Sequence, residues 1–368
     1  MIFHSTSKRP IVIAGNGVRE SGAVDLLHEL YQKTKIPVLT TMNAVDLMQD
    51  DWKIGFIGTY GNRIANLITS ECDLVISIGA RLGLRQIGNK KEYFAPKAKL
   101  IRVDIDPYEL SRTIKDDEEK HLMDAKEFLN IVLQEEIPVY DEWNEKCFNA
   151  KNKLEPYDKK IGNLCMENIS ALLPSDPIVT VDIGQNQCWA AQSLTLKGKK
   201  GRILIGGSYG SMGCSLPYAI GASLASKGIV YCLTGDGGLQ MNIQELQTVK
   251  TEKLPIKIIV INNRSLGKIS EIQNIAYEKR FCITTEDSGY MTPDFDKVAN
   301  AYGIRSISLQ SSSDLGEYKE WLYDDEPCLI NIMLPDNTLL QPKMHWNEKE
   351  MKPVLDKIIM KEIESIME

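Results

Sequence analysis

The segment that most constrains the fold spans residues 229–265, where two apolar runs flank a helical pattern. Residues 229–233 and 256–261 are short, apolar and β-branched, which is typical of buried strands. Between them, residues 239–254 carry apolar side chains at helical spacing, and Pro255 blocks further helix. Strands joined by a helix lie parallel, because the crossover must return to the same end of the sheet. The segment therefore predicts a βαβ unit.

Glycine and oxygen-bearing residues follow both predicted strands. The first strand leads into Gly235, Asp236, Gly237 and Gly238, and the second leads into Asn262, Asn263 and Ser265. Open α/β sheets bind ligands beyond the carboxyl ends of their strands, where glycines and the positive end of a helix suit a phosphate. Oxygens from the carboxylate of Asp236, the amide of Asn263 and the main chain of Ser265 suit Mg²⁺. We therefore expect a diphosphate held through magnesium; the alternative is an ordinary βαβ unit with a glycine turn.

The Gly-Asp-Gly turn and the paired asparagines together resemble the thiamine diphosphate (ThDP) fingerprint of the pyruvate decarboxylase and acetolactate synthase superfamily. A Gly-Asp-Gly sequence alone is common, but here Asn262 and Asn263 follow the next predicted strand. The resemblance continues along most of the chain and implies that ThDP and Mg²⁺ are the cofactors.

Strands alternate with helical patterns along both halves of the 368-residue chain, whose 43% apolar content is sufficient for two cores. This alternation predicts an α/β fold with two doubly wound parallel sheets. The predicted strands lie at residues 11–14, 36–41, 73–79, 99–104, 177–182, 203–207, 229–233, 256–261 and 327–332. With the resemblance, they define a middle domain at 1–135, a charged linker at 136–160, a ThDP- and magnesium-binding domain at 161–345 and a C-terminal helix at 346–368.

Composition argues against several classes of protein. A formal charge of −7 is unsuited to a general nucleic-acid binder. No apolar segment reaches membrane-spanning length and the start lacks a signal-peptide core, so we expect a cytoplasmic protein with no membrane span. The eight cysteines form no Cys-x-x-Cys pair, which indicates reduced, mostly buried thiols. The four histidines, at positions 4, 28, 121 and 345, have no metal-ligand spacing.

The first half is similar to the middle domain of acetolactate synthase-type enzymes. In flavin-dependent members this domain holds FAD, and the resemblance assigns those contacts to Gly61, to residues 81–85, and to Asp104 and Asp106. Other members keep the same fold without a flavin or bind ADP instead. Both alternatives, FAD binding and an unoccupied cleft, therefore stay open.

In the second half, the resemblance assigns cofactor contacts to particular residues. Gln185 and Asn186 would meet the diphosphate, and the Gly210 carbonyl would accept a hydrogen bond from the aminopyrimidine. Met212 would lie beneath the bent cofactor, a position that a bulky, polarisable side chain suits. The remaining cofactor-binding candidates are Ser211, Gly235, Asp236, Gly237, Gly238, Asn263, Ser265, Leu266 and Gly267.

The family activates its cofactor with a glutamate on a separate pyrimidine-binding domain that precedes the middle domain. This sequence begins directly with the middle domain, and neither Glu245 nor Glu271 is suited to that role. We therefore expect a separate pyrimidine-domain subunit that supplies the glutamate. The expected assembly is a homodimer within a hetero-oligomer.

Three residues depart from the synthase pattern. Asn186 stands where histidine is usual, Gly238 where serine is common, and Lys268 where methionine is usual beside the reacting end of the cofactor. Because the anchoring residues are retained, these departures bear on the choice of substrate. Lys268 either pairs with a second negative group of an acceptor, such as a phosphate or carboxylate, or points to solvent. Met212 and Lys268 are thus the candidate catalytic residues of this chain.

The resemblance implies a lyase or transferase that decarboxylates a 2-keto acid, with pyruvate expected, and transfers a two-carbon unit to an acceptor carbonyl. Acetolactate synthesis is one version, and ligation onto a keto sugar or another specialised acceptor is a second. Simple decarboxylation to an aldehyde is an alternative activity. A non-catalytic ThDP- or nucleotide-binding module is an alternative of a different class.

Overall fold

The computed structural model of the chain divides into two compact units. One comprises Met1–Asp158 together with Pro342–Glu368, and the other comprises Lys159–Gln341. The structure describes residues 7–48, 50–207, 209–336, 338–344 and 355–368, apart from the side chain of residue 50. His4, His345 and the first part of the predicted C-terminal helix, residues 346–354, lie outside the described residues.

A five-stranded parallel sheet forms the centre of the first unit. Its strands are β1 (Pro10–Ala14), β2 (Val38–Thr40), β3 (Leu74–Ile78), β4 (Lys99–Asp104) and β5 (Glu119–Leu122), in the spatial order β2-β1-β3-β4-β5. The order reverses at β1, so right-handed crossovers place helices on both faces, as predicted. The prediction omitted β5, because its sequence Glu-Lys-His-Leu is polar and largely exposed at the sheet edge.

Eight α-helices accompany this sheet in the described part of the first unit. They are α1 (Gly17–Glu20), α2 (Val24–Thr34), α3 (Arg63–Glu71), α4 (Leu84–Ile87), α5 (Pro107–Ser111), α6 (Ala125–Leu133), α7 (Asp141–Asp158) and, near the C-terminus, α15 (Lys357–Met367). Residues 136–160, predicted to be a linker, contain α7, which buries Trp143 and Leu154 in the core of this unit. α15 adds Ile363 and Met367 to the same core.

The second unit contains a six-stranded parallel sheet. Its strands are β6 (Ile178–Val181), β7 (Arg202–Ile205), β8 (Val230–Gly235), β9 (Ile256–Asn262), β10 (Arg305–Leu309) and β11 (Cys328–Met333). Its helices are α8 (Ile161–Leu172), α9 (Gln185–Ser193), α10 (Ser215–Ser226), α11 (Asp236–Met241), α12 (Leu246–Thr251), α13 (Gly267–Ala276) and α14 (Phe295–Ala301). The spatial order is β10-β11-β9-β8-β6-β7. The two parallel sheets confirm the predicted α/β fold class.

The chain leaves β6 toward β7 on one side and returns to β8 on the other, so the strand order reverses between β6 and β8. In open α/β sheets, ligands bind in the crevice at the carboxyl ends of the strands that flank such a reversal. The residues that follow β6 and β8 are therefore the first place to look for a site. β10, a short strand with a partly exposed pattern, was absent from the sequence-based prediction.

The predicted βαβ unit is present, but its helix is interrupted. β8 and β9 are parallel neighbours, with Gly235 opposite Ile261. The connection consists of α11, a 3₁₀ turn at Ile243–Glu245 and α12. The break lies at Asn242, whose side-chain amide donates to the Gly213 carbonyl at 2.7 Å. The apolar spacing still holds, because Leu246 and Val249 are buried in the core.

All eight cysteines are free, and six of them are buried, in agreement with the predicted reduced thiols. Among the helices that the structure describes, none combines the length and apolar character needed to cross a membrane.

Candidate cofactor site

Asp236 lies at the carboxyl end of β8 and begins α11. Its side chain is almost fully buried, with 3% exposure. The Tyr290 hydroxyl donates to its Oδ2 atom at 3.1 Å. Burial raises the pKa of Asp236 to about 7, although hydrogen bonds from Tyr290 and from main-chain amides act in the opposite direction. The carboxylate thus has neutral donors around it, and a cation would favour its ionised form.

Asn263 follows β9, the strand beside β8, and is also buried. Its Nδ2 atom donates to Oε1 of Gln185 at 2.7 Å, and Nε2 of Gln185 donates to the Thr338 carbonyl at 2.9 Å. This relay fixes the orientation of both amides, because the donor of Gln185 must face the carbonyl of Thr338. The Oδ1 atom of Asn263, its one side-chain acceptor, takes no part in this relay. Gln185 and Asn263, both predicted as site residues, are therefore in direct contact.

The loop after β9 has a tightly specified main chain. Arg264 adopts a left-handed conformation, with φ of +50°, and its N–H donates to Oδ1 of Asn262 at 3.0 Å. The Ser265 hydroxyl donates to the Thr284 carbonyl at 2.8 Å. Since that hydroxyl is engaged within the protein, the main-chain oxygen of Ser265 is the better candidate to meet a ligand. Leu266 then precedes α13, which begins at Gly267.

Asp182, which follows β6, organises the loop at residues 209–214. Its carboxylate is 1% exposed and accepts from the main-chain N–H groups of Ile183 at 2.8 Å, Gly213 at 2.9 Å and Ser215 at 3.1 Å. Burial raises the pKa of Asp182, and these donors partly offset that effect. Gly213 has φ of +90°, and a Cβ there would lie 2.5 Å from the Cβ of Met241. The loop therefore requires both the carboxylate and the glycine.

Met212 is the residue of this loop that approaches Asp236. Its Cε atom lies 3.5 Å from the position that a Cβ atom would take at Gly237, and Leu266 lies 2.7 Å from the same position. The side chain is 36% exposed, so it is not part of a closed core. Gly237 therefore permits Met212, Leu266 and Asp236 to share one small region.

The other predicted residues occupy less direct positions. Asn186 donates to the Asp182 carbonyl at 3.0 Å. Gly210, with φ of +65°, adjoins Ile183, while Ser211 is exposed beside Met212. A Cβ at Gly238 would meet the Asp182 carboxyl group at 2.9 Å, which explains why a serine there would require rearrangement. Lys268 is half-buried in the first turn of α13.

The donor set fits magnesium better than a transition metal. In the part of the chain that the structure describes, no three His, Cys, Asp or Glu side chains are grouped to hold a metal. Asp236, Asn263 and the Ser265 carbonyl would provide one carboxylate and two neutral oxygens. Mg²⁺ is commonly held by one or two carboxylates, with phosphates and water completing its octahedron. The buried carboxylate without a cationic hydrogen-bond donor is the observation that supports this fit.

Two family models match the chain. The model described as "Thiamine pyrophosphate enzyme, central domain" matches residues 5–132. The model described as "Thiamine pyrophosphate enzyme, C-terminal TPP binding domain" matches residues 182–332, which include Asp182, Asp236 and Asn263. The chain belongs to the thiamine pyrophosphate enzymes. Thiamine pyrophosphate is ThDP under its other name, and the resemblance drawn from the sequence is thereby confirmed.

Curated relatives of this ThDP enzyme chain are acetolactate synthase large subunits. The chain is 33% identical over 350 residues to a "Probable acetolactate synthase large subunit" of Methanocaldococcus jannaschii, covering 89% of this chain and 58% of the relative. It is 32% identical over 341 residues to "Acetolactate synthase isozyme 2 large subunit" of Escherichia coli strain K12, covering 90% and 60%. The chain thus spans less than two thirds of the length of these relatives.

Three residues of this site were absent from the sequence-based prediction: Asp182, Tyr290 and Thr338. Asp182 had a usable signal, because it is an acidic residue at the carboxyl end of a predicted strand, as Asp236 is. Tyr290 and Thr338 lie in irregular segments, where apolar periodicity gives no information about contacts.

The residues that the resemblance assigned to FAD lie in the first unit. Arg81 is an exposed partner of Glu109, at 2.7 Å, and Asp106 accepts from the N–H of Tyr108 at the start of α5. The names of the two matching family models and of these two relatives do not mention a flavin, and FAD binding stays a prediction.

Proposed function

We propose that this chain forms the diphosphate-binding part of a ThDP-dependent enzyme that decarboxylates pyruvate and transfers the two-carbon unit to an acceptor carbonyl. The observation that carries the proposal is the placement of buried Asp236 and the oriented amide of Asn263 at the carboxyl ends of the neighbouring strands β8 and β9. Similarity to acetolactate synthase large subunits supports the reaction class.

Asp236, Asn263 and the Ser265 carbonyl would hold Mg²⁺, and the ion would hold the diphosphate. Gln185, Asn186, Gly235, Gly237, Gly238 and Gly267 would form the surrounding cradle, while Gly210, Ser211, Met212 and Leu266 would contact the rest of the cofactor. When bound, ThDP supplies the nucleophilic carbon and the electron sink. The protein contributes shape, orientation and exclusion of water.

We further propose that the activating glutamate comes from a pyrimidine-binding domain outside these residues, on a partner chain. The acidic side chains of the site have other roles: Asp182 binds main-chain amides, and Asp236 is assigned to the metal. Glu245 accepts from the Thr248 hydroxyl at 2.9 Å. A homodimer of this chain with two partner chains is the corresponding assembly.

The test measures products from pyruvate, ThDP and Mg²⁺ with this chain alone, with the partner, and with Asp236→Ala plus the partner. We expect release of CO₂ and a ligated product only with the wild-type chain and partner together. Accumulation of free aldehyde would instead favour simple decarboxylation. Turnover by the 368-residue chain alone would contradict the partner proposal.

A further inference from the structure

Tyr290 connects Asp236 to a second polar side chain. The Tyr290 hydroxyl donates to Oδ2 of Asp236 at 3.1 Å, and it accepts from Nε2 of Gln240 at 3.4 Å. Gln240 lies one helical turn after Asp236 on α11. Because the amide of Gln240 is a donor and an ionised carboxylate is only an acceptor, the phenol has one consistent orientation in this chain of hydrogen bonds.

From this geometry we propose that Tyr290 is a positioning residue, which fixes the rotamer of Asp236 so that its other oxygen, Oδ1, faces the metal. The inference rests on the proposed function, since it requires Asp236 to be a magnesium ligand. The phenol adds a neutral donor to the main-chain amides around the carboxylate, and it restricts rotation of the group so that a lone pair of the second oxygen would be left for the cation. Such outer-shell partners commonly tune the affinity of a metal site.

Tyr290 is itself anchored to the loop that carries Ser265. Its N–H donates to the Thr285 carbonyl at 3.0 Å, and Thr285 pairs with Ser265 in an antiparallel bridge. Gly289, with φ of +99°, provides the left-handed turn that precedes Tyr290. The phenol therefore links two of the proposed ligand-bearing segments, the start of α11 and the loop after β9.

The packing around Gly237 leaves little freedom for the phenol. A Cβ atom at Gly237 would lie 3.1 Å from the Tyr290 hydroxyl and 2.7 Å from Leu266. Tyr290 is 9% exposed, so its ring is held in place by the surrounding protein. Loss of the hydroxyl alone should then leave the ring in position and remove one of the restraints on rotation of the Asp236 carboxylate.

The experiment compares wild type, Tyr290→Phe and Tyr231→Phe in calorimetric titrations of ThDP at graded Mg²⁺ concentrations. Tyr231 is the matched control, because its buried hydroxyl donates to the Leu322 carbonyl at 2.8 Å. It lies near the start of β8, the strand that leads to Asp236. We expect Tyr290→Phe to raise the half-saturating Mg²⁺ concentration about 10-fold or more, with Tyr231→Phe unchanged. Gln240→Leu, which retains Tyr290, should raise it about threefold.

Suppose that wild type binds ThDP in a magnesium-dependent manner. An unchanged Mg²⁺ requirement in Tyr290→Phe would then overturn the positioning role and leave the proposed function intact. If Tyr290→Phe does not fold, an unchanged requirement in Gln240→Leu would overturn it as well. A wild-type chain whose ThDP binding is indifferent to Mg²⁺ would overturn both this inference and the proposed function. An equal shift in Tyr231→Phe would contradict the inference, because general destabilisation would then explain the result.

Discussion

The side chains proposed to hold the metal are each fixed by hydrogen bonds within the protein. Tyr290 donates to one oxygen of Asp236, and Gln185 accepts from the amide nitrogen of Asn263. Both ligand side chains are also buried, so few alternative rotamers are open to them. Such preorganisation lowers the entropic cost of binding a cation and its diphosphate.

We propose that Lys268 bears on the choice of acceptor. It lies in the first turn of α13, where the helix dipole disfavours a positive side chain, so an anionic group nearby would be stabilising. We expect Lys268→Met to reduce kcat/KM about 10-fold for acceptors with a second negative group, because a charge-assisted contact is lost. The measurement is competition between charged and neutral acceptors in the assembled enzyme. Lys297→Met, at an exposed position of α14, is the control. An unchanged preference in Lys268→Met would contradict the assignment.

The sequence alone is sufficient to predict site residues that lie at the carboxyl ends of neighbouring parallel strands. Asp236 and Asn263 were predicted because parallel neighbouring strands end at the same edge. Tyr290 was not, because its contact with Asp236 spans 54 positions and depends on the conformation of an irregular loop. Gln185 was predicted to meet the diphosphate, but its amide also contacts Asn263 and Thr338, which no local pattern indicates.

Among the elements, the loop at residues 209–214 depends on a single carboxylate. Asp182 binds the N–H groups of Gly213 and Ser215, and this contact places Met212 near Gly237. The loop has few other attachments among the described residues; one is the amide of Asn242 on the Gly213 carbonyl. The position of Met212 therefore depends on the hydrogen bonds that Asp182 accepts from this loop.

We expect Asp182→Asn to lower the free energy of unfolding by about 2 kcal/mol, because an amide N–H would oppose the N–H of Ser215. Cleavage by chymotrypsin at Tyr209, which is 95% exposed, should also become faster. Denaturant unfolding and limited proteolysis measure the two effects. Asp176→Asn is the control, since Asp176 accepts the Lys200 N–H on an exposed surface. Wild-type cleavage rates in Asp182→Asn would show that the carboxylate does not order the loop.

Strands were easier to predict than the helix between them. The apolar runs that became β8 and β9 have one interpretation in a parallel sheet, and their bounds agree with the prediction to within a few residues. The predicted helix at 239–254 is instead interrupted at Asn242. Its apolar spacing persists across the break, so periodicity cannot reveal a kink that is caused by a contact with Gly213.

At the scale of the whole molecule, the stability of the second unit includes a charge cluster around one buried lysine. Lys257, on central strand β9, is fully buried, and its Nζ atom donates to Asp324 at 2.9 Å. Burial alone would raise the pKa of Asp324, but hydrogen bonds from Arg305 and Lys257 lower it to about 2. Because the pKa in an unfolded chain is about 3.9, the ionised group stabilises the fold above about pH 4. That contribution is lost as the pH falls toward 2.

Asp324→Asn should therefore lower the free energy of unfolding by about 2 kcal/mol at neutral pH, a value reduced because Asp324 is partly exposed. The pH dependence of unfolding between about pH 2 and 4 should also become flatter. Denaturant titrations across this range provide the measurement. Asp325→Asn, at an exposed neighbouring position, is the control. A wild-type slope in Asp324→Asn would rule out the cluster as its source.

The proposed cofactor site depends on a divalent cation held by Asp236 and Asn263 at the edge of the second sheet. The most direct test is anomalous diffraction from crystals of this chain with ThDP and Mn²⁺, which shares the preference of Mg²⁺ for oxygen ligands. We predict one manganese peak within about 2.2 Å of a carboxylate oxygen of Asp236 and of the amide oxygen of Asn263. Bound ThDP with the peak on other side chains, or with no peak at all, would contradict the assignment of Asp236 and Asn263 as metal ligands.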